Sequence, residues 1–151
     1  MLSDTTYIHT FASISLEVAS IIVDGALEEG GRLGLRALTA VVLDLSTYPK
    51  ALKRADGVGF LSMEACIAKA WTALSMNRSS REIADWMGSN AAIVASMANI
   101  SGGKFIALPG GLLIWRNGAI IGAVGVSGDT PDNDERCAQA GIERAGLSSR
   151  P

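Results

Sequence analysis

Four charged residues stand where predicted strands end and where the next helix runs. Asp44 lies at the end of the first predicted strand, Arg54 is the last residue of the second, and Asp56 lies in the loop after it. Lys69 lies in the helix after them. An arginine fork recognises carboxylates, a lysine adds positive charge, and a carboxylate or a lysine can move a proton. These residues are therefore the candidates for catalysis or for holding an anionic group. The alternative is that each forms a structural ion pair or a solvated strand end.

The remaining reactive side chains are few. His9 is the one histidine, and it precedes the first predicted helix. A catalytic base must be held by packed structure, so a triad built on His9 is not expected. Cys66 and Cys137 fall among apolar helical neighbours, which is typical of buried free thiols in a reducing compartment. No Cys/His cluster has zinc spacing, so we expect no metal site.

Composition excludes several function classes. The 151 residues include 48% hydrophobic and 19% charged residues, with a net charge of −2 and no basic run. A nucleic-acid partner is therefore not expected. No apolar run is long enough for a membrane span, and no secretory signal is visible, so the expected location is the cytoplasm. The length predicts one domain, 1–151, with a loose lead at 1–9 and a frayed tail at 147–151. Abundant small residues and low charge favour a homo-oligomer.

Two hairpins are predicted. The first joins strands at 37–45 and 50–54, and the second joins strands at 112–115 and 119–126 through Asn117-Gly118. Asn-Gly is the dipeptide that most readily takes the positive φ angles of a type I′ turn. The strand at 119–126 is nearly free of charge, which favours a central position in the sheet. Gly125 inside it indicates close approach of a helix, another chain or a ligand.

Helices fill the rest of the chain. The apolar spacing predicts helices over 11–29, from Ser62, from Ser79 to Met87, over 89–98 and from Thr130 to Ala145. Ser79 and Glu82 form the pattern of a capping box. Lys69 lies on the flank of its helix, solvated or facing a partner, because the apolar stripe occupies another side. Helices with hairpin-connected strands indicate an α+β domain with a mostly antiparallel sheet.

Gly110-Gly111 precedes the second hairpin. A glycine pair can offer backbone N–H groups to an anion, although a turn or a strand kink explains it equally simply. The surrounding residues match neither a P-loop nor a dinucleotide fingerprint. Gly125-Val126-Ser127-Gly128 is not a nucleophile elbow, because Asp129 stands where the second glycine of that motif is required.

Taken together, several segments resemble the GlcG/HbpS-like domain, a haem-binding or haem-degrading family. They are VVLD (41–44), RADG (54–57), CIAKAWTAL (66–74), PGGLLIWRNGAIIGAVGVSG (109–128) and DNDERCAQAG (132–141). The resemblance covers residues 12–145. This chain departs from the family pattern at the first hairpin turn, where the family has a glycine pair and Ser46-Thr47-Tyr48-Pro49 stands here. It also lacks the family's proline after Gly110-Gly111.

The resemblance implies a profilin-like fold with a five-stranded antiparallel sheet and flanking helices. It also implies small oligomers, as dimers, tetramers or octamers, and haem as a cofactor. His9 is the histidine available as a haem ligand, provided that a neighbouring chain completes the site. The positions that match the family motif are Asp44, Arg54, Asp56, Lys69, Gly110, Gly111 and Ser127. Of these, the resemblance and the residue types favour Arg54, Lys69, Gly110, Gly111 and Ser127 for ligand binding.

Three functions remain open at this point. The first is a module that binds a small molecule, with haem as the family's ligand. The second is a small oligomeric enzyme without a cofactor, a lyase, isomerase or hydrolase, in which Arg54 holds an acidic or carbonyl substrate and Asp44, Asp56 or Lys69 moves protons. The third is an assembly subunit without chemistry. A pocket lined by Arg54, Lys69 and a tryptophan would favour the first two.

Overall fold

The structure, a computed structural model, describes residues 10–151. The predicted lead at 1–9 and His9 lie outside this range. Five helices and four strands form within it. Their order is α1 (Leu16–Arg32), β1 (Thr39–Leu43), β2 (Pro49–Arg54), α2 (Ser62–Met76), α3 (Ser80–Met87), α4 (Ala91–Ile100), β3 (Gly111–Arg116), β4 (Ala119–Ser127) and α5 (Pro131–Arg144).

The strands form one antiparallel sheet in the order β2-β1-β4-β3. The central position predicted for the strand at 119–126 is confirmed, since β4 pairs with β1 on one side and β3 on the other. Asn117 and Gly118 have φ angles of 51° and 74°, as the type I′ hairpin requires. Both hairpins of the sequence analysis are present.

The described residues form four strands rather than five. The segment between α4 and β3 is apolar enough for a strand, but it packs under the helices instead. Phe105 is buried with Ile83 and Met87 of α3. The Ile106 N–H donates to Thr72 Oγ1 of α2 at 2.9 Å, so this backbone bonds to a helix side chain and not to a sheet edge.

Helices cover both faces of the sheet. α1 and α5 pack on one face, with Ile22, Val42 and Ile142 in one buried cluster. α2 covers the other face, where Cys66 and Ala70 pack against Val41 and Ala123. Because both faces are covered, β1 and the middle of β4 are buried along their length. α1 and α5 approach closely at two glycines, since a Cβ on Gly25 would lie 3.1 Å from the Cα of Gly141.

The first helix begins later than its apolar spacing predicts. α1 starts at Leu16 with Ser15 as N-cap, and not at residue 11. Residues 11–15 belong to no helix or strand, and the Ile14 N–H donates to Ile121 O at 2.9 Å. Ile14 is therefore buried by lying against β4, while Phe11 is 79% exposed.

The other helix boundaries follow local chemistry. Ser79 and Glu82 form the predicted capping box of α3, and Thr130 caps α5 with Pro131 at its first position. α2 begins at Ser62 as expected, but its N-cap is Leu61, which offers no side-chain bond. The sequence predicts a frayed tail at 147–151, but Ser148 pairs with Trp115 of β3.

None of the helices in residues 10–151 has the length and apolarity that crossing a membrane demands.

Candidate functional site

Lys69 and Asp134 form a buried ion pair between α2 and α5. Lys69 Nζ lies 2.6 Å from Asp134 Oδ2 and donates to Val126 O at 3.0 Å. Asp134 Oδ1 accepts from the Asp129 N–H at 3.0 Å. The Lys69 side chain is only 3% exposed. The prediction that Lys69 is solvated or faces a partner is therefore wrong within this chain, although its place outside the apolar stripe of α2 is correct. Its ammonium joins α2, the end of β4 and the start of α5.

The electrostatics of this pair are set by two opposing effects. Burial raises the pKa of the Asp134 carboxyl, and the hydrogen bond and charge of Lys69 oppose that rise. Since both hydrogen-bonding oxygens of the carboxylate are satisfied by N–H donors, the pair is complete without a ligand. Its geometry is that of a structural clamp.

The glycine pair lies directly beneath this clamp. Gly110 has a φ of 120°, and a Cβ there would lie 3.0 Å from Lys69 Nζ. A Cβ on Gly111 would overlap the Lys69 carbonyl. The Gly111 N–H donates to Ser80 Oγ at 2.8 Å, so a protein hydroxyl occupies the position that an anion would take. The glycines permit the close approach of β3 and α2.

The structure brings most of the sequence-predicted site residues to one end of the sheet. Thr39 at the start of β1 pairs with Arg54 on one side and Ser127 on the other. Arg54 and Asp56 are exposed there, and Lys69 is buried behind β4. Asp44 does not join them. It follows the last residue of β1, roughly 17 Å away at about 3.3 Å per residue, and lies 3.5 Å from Lys50.

A separate apolar groove opens at the other end of the sheet, beside the β3–β4 hairpin. Its volume is about 730 Å³. We call it the Trp115 groove. Its apolar lining comprises Phe11, Leu45, Leu74, Trp115, Ala119 and Ile120. Its polar lining comprises Ser13, Ser46, Thr47, Ser75 and Asn77. No charged side chain belongs to the lining among the described residues, so the groove suits the apolar body of a ligand.

Three backbone features position the walls of this groove. Trp115 is held by its N–H bond to Ser148 O at 2.8 Å, and Phe11 stands three residues before Ile14, whose N–H bonds to Ile121 O. The β1–β2 turn supplies Ser46 and Thr47, with Asp44 at its base. Among the large apolar side chains of the lining, Phe11 is the most exposed, at 79%. A planar apolar ligand would contact it together with the indole ring of Trp115.

Metal-binding side chains are sparse in the described residues. No group of three or more His, Cys, Asp and Glu side chains could hold a metal ion in residues 10–151. Cys66 and Cys137 are buried free thiols, as the sequence predicts. Burial raises the pKa of Cys66 to about 12 and that of Cys137 to about 11. Both thiols stay protonated near neutral pH, which makes them poor ligands and nucleophiles.

Sequence reasoning missed Asp134 as the partner of Lys69 and missed the groove. Asp134 stands in the first turn of α5, where a negative charge is already expected to favour the helix dipole. Its pairing with a residue 65 positions away has no local signal. Phe11 shares helical spacing with Ile14 and Val18, so the sequence pattern predicts the first turn of a helix there.

A four-stranded antiparallel sheet between helical layers, with an apolar groove at its hairpin end, defines an α+β domain of HbpS-like fold. Residues 14–143 match the family described as haem degrading protein HbpS-like. The chain belongs to this family.

The relatives agree on the fold. A crystal structure of PduOC in complex with haem is 24% identical, has a TM-score of 0.83, and covers 93% of this chain and all of that one. HbpS is 26% identical with a TM-score of 0.80, over 95% of this chain and 97% of that one. The corrinoid adenosyltransferase PduO of Salmonella typhimurium is 29% identical over 117 residues, which are 78% of this chain and 34% of that protein. This chain thus spans about a third of that relative.

Proposed function

We propose that this protein binds haem in the Trp115 groove. The observation that carries the proposal is the groove itself, whose apolar floor has no charged lining residue and whose volume of about 730 Å³ is that of a small-molecule site. The haem complex of a protein with the same fold supports the choice of ligand. Phe11 and Ile120 would contact the macrocycle, and Trp115 would stack on or beside it.

The apolar lining suits a macrocycle, while the iron would need a ligand from outside this lining. Haem iron is held by His, Cys, Met or Tyr side chains, and the described lining contains none of them. His9 stands two residues before Phe11 in the sequence and lies outside the described residues. We propose His9 as the iron ligand. Bound haem would supply iron chemistry, and the chain's own residues would shield one face of the ring.

The first prediction concerns hemin titration, followed by the Soret band. The wild-type protein should show a saturable shift at one hemin per chain. His9→Ala should lose or displace the shifted band, because the iron loses its ligand. Phe11→Ala should weaken binding by about 10-fold, since it removes apolar contact from an already exposed side chain. A variant pair of this kind separates iron ligation from apolar contact.

Phe60→Ala is the matched control, because Phe60 is 87% exposed and does not line the groove. It should bind hemin like the wild type. An unsaturable or nonspecific spectrum with the wild-type protein would reject haem as the ligand. Equal weakening in Phe11→Ala and Phe60→Ala would place the ligand elsewhere.

We also propose that the chain is a homo-oligomer that associates through α4. This helix, AAIVASMANI, has no charged residue and no buried residue. Ile93 and Ile100 are both exposed and seven residues apart, so they lie on one stripe of the helix. In an antiparallel two-fold contact, Ile93 of one copy would face Ile100 of the other. A second copy therefore covers the stripe without bringing like charges together.

The second prediction is that Ile100→Asp lowers the mass in solution to that of a single chain or a smaller assembly. The physical reason is that each two-fold contact would bury two new carboxylates without partners. Light scattering during gel filtration measures the mass. Phe60→Asp places the same charge on an exposed ring away from α4 and should leave the mass unchanged. A wild-type protein that already runs as a monomer would contradict the proposed contact.

The enzyme hypothesis requires the proposed catalytic groups to lie close together, and the structure separates them. Arg54 and Asp56 are exposed at one end of the sheet, and Asp44 lies at the other. The Lys69 ammonium is already bonded to Asp134 and Val126. Proton transfer by these groups on one substrate would require them to meet in one cleft. The binding module is therefore the proposal that the observations favour.

A further inference from the structure

We propose that Asn117 is a site of spontaneous deamidation, a covalent modification that converts this asparagine into aspartate or isoaspartate. The site lies at the tip of the β3–β4 hairpin, where Gly118 follows Asn117. The inference does not depend on haem binding, because the reaction needs no ligand and no partner.

The reaction is intramolecular and uses the backbone of the next residue. The Gly118 amide nitrogen forms a bond to Asn117 Cγ, and the bond from Cγ to the side-chain nitrogen breaks. That nitrogen leaves as ammonia and takes the proton of the Gly118 amide, so a five-membered succinimide ring remains. Water then opens the ring. Cleavage at Cγ gives aspartate, and cleavage at the main-chain carbonyl carbon gives isoaspartate.

Asn117 differs from the other asparagines of the chain in the residue that follows it. The five asparagines are Asn77, Asn90, Asn99, Asn117 and Asn133, and only Asn117 precedes a glycine. Glycine favours ring closure because it has no Cβ beside the attacking nitrogen. Asn77 is the matched comparison: it is also exposed and also has a φ of 51°, but Arg78 follows it.

The hairpin tip leaves the attacking nitrogen accessible. Asn117 and Gly118 are both exposed, and a Cβ on Gly118 would meet no heavy atom within 4 Å. The last pair of the hairpin is Arg116 with Ala119, so the strand ladder ends before the turn and does not use the Gly118 N–H.

The side-chain amide of Asn117 is equally accessible. It makes no hydrogen bond within residues 10–151, whereas two other asparagine side chains are engaged at helix starts. Asn90 Oδ1 accepts from the Ile93 N–H at 3.2 Å, and Asn133 Nδ2 donates to Asp129 Oδ1 at 2.6 Å. In the part of the chain that the structure describes, no such bond holds the Asn117 amide away from the backbone.

The turn itself slows the reaction. Asn117 and Gly118 have φ angles of 51° and 74°, the left-handed conformations of a type I′ turn. Attack on Cγ requires rotation about the Asn117 Cα–C bond, which takes the residue out of this turn. The reaction therefore proceeds from molecules whose hairpin tip has opened locally, and local opening costs less free energy than global unfolding.

The two products differ in their effect on the hairpin. Aspartate before glycine is accepted by a type I′ turn, so it keeps the turn and adds one negative charge. Isoaspartate brings its Cβ into the main chain, so the connection between Arg116 and Ala119 becomes one atom longer and no longer fits this turn. Trp115 precedes that connection and lines the Trp115 groove. Isoaspartate would therefore displace a wall of the groove.

The test incubates the purified wild-type protein at physiological temperature and follows each asparagine by mass spectrometry with fragmentation. We expect a gain of about 1 Da at residue 117, from amide to carboxyl, with both aspartate and isoaspartate among the products. Residue 77 should show no gain over the same period. Asn117→Gly removes the amide and keeps a residue that the turn accepts, so this variant should show no gain in the hairpin.

Further measurements separate the chemistry from the turn. Wild type unfolded in guanidinium chloride should gain mass at residue 117 faster than the folded protein, because no turn has to open. The isoaspartate fraction should melt at a lower temperature than Asn117→Asp, which carries the same charge in an intact turn. No gain at residue 117, or equal gains at residues 77 and 117, would overturn the inference. Aspartate as the sole product would overturn the succinimide route, since direct hydrolysis of the amide leaves the backbone unchanged.

Discussion

Replacing Lys69 with alanine is expected to lower the free energy of unfolding by about 3–5 kcal/mol, the effect of removing one partner of a buried ion pair. The loss follows because Asp134, itself almost fully buried, would keep a carboxylate without its cation. Its remaining donor among the described residues is the Asp129 N–H. Chemical denaturation followed by circular dichroism measures the difference.

Two controls distinguish the effect of an unpaired buried charge from the effect of losing the packing of the lysine side chain. Lys53→Ala removes an exposed ion pair with Asp24 and should cost less than about 1 kcal/mol. The double variant Lys69→Met/Asp134→Leu removes both charges and keeps apolar volume, so it should recover most of the stability that Lys69→Ala loses. A double variant as unstable as Lys69→Ala would show that packing, and not the unpaired charge, determines the loss.

The pH dependence of Lys69→Ala has a definite sign. Burial already raises the pKa of Asp134, and the variant loses the lysine that opposes this rise. A carboxyl group with a raised folded-state pKa stabilises the fold below its unfolded pKa, and that contribution is lost as pH rises through the folded pKa. The deficit of the variant relative to the wild type should therefore shrink as the pH is lowered from neutral.

Gly125→Ala is expected to be the second severe change, with a loss of about 3 kcal/mol or more. Gly125 lies in central strand β4 directly under α2. A Cβ there would overlap the carbonyl oxygen of Cys66 and lie 3.0 Å from the amide nitrogen of Ala70. Both are backbone atoms, so a side-chain rotation cannot relieve the overlap. α2 would have to move away from the sheet.

Gly31→Ala is the matched control for this substitution. Gly31 lies within α1, and a Cβ there would have no heavy atom within 4 Å. Alanine in a helix is favoured over glycine by about 0.5–1 kcal/mol, so this variant should gain stability. Relative to the wild type, the melting temperature should fall for Gly125→Ala and rise for Gly31→Ala. A mild effect of Gly125→Ala would mean that α2 and β4 separate readily.

The sheet was more predictable than the site because its determinants are local. Asn117-Gly118 specifies its turn by the conformations of two adjacent residues, and the charge-free run of β4 specifies burial. The helical contact of Gly125 is confirmed for the same reason: a glycine inside a strand leaves room that some neighbour must occupy.

The site depends on contacts between distant residues. Helical geometry placed Lys69 outside the apolar stripe of α2, which is correct, but it could not show that α5 supplies a carboxylate on that side. Phe11 was assigned to a helix because its spacing suits one. Residues 11–15 instead lie outside the helix, where the Ile14 N–H bonds to Ile121 O, more than a hundred positions later.

The strand order has a consequence for synthesis on the ribosome. β1 is buried along its whole length, and β2 is the partner strand that follows it directly in the chain. The other edge of β1 pairs with β4, as in the Thr39–Ser127 pair, and β4 is synthesised about 80 residues after β1. Until then the nascent hairpin exposes an apolar strand with unpaired N–H and C=O groups, a template for association with other chains. Emergence of β4 is therefore the step that ends this exposure, and folding of the central sheet must wait until residues 119–127 have been synthesised.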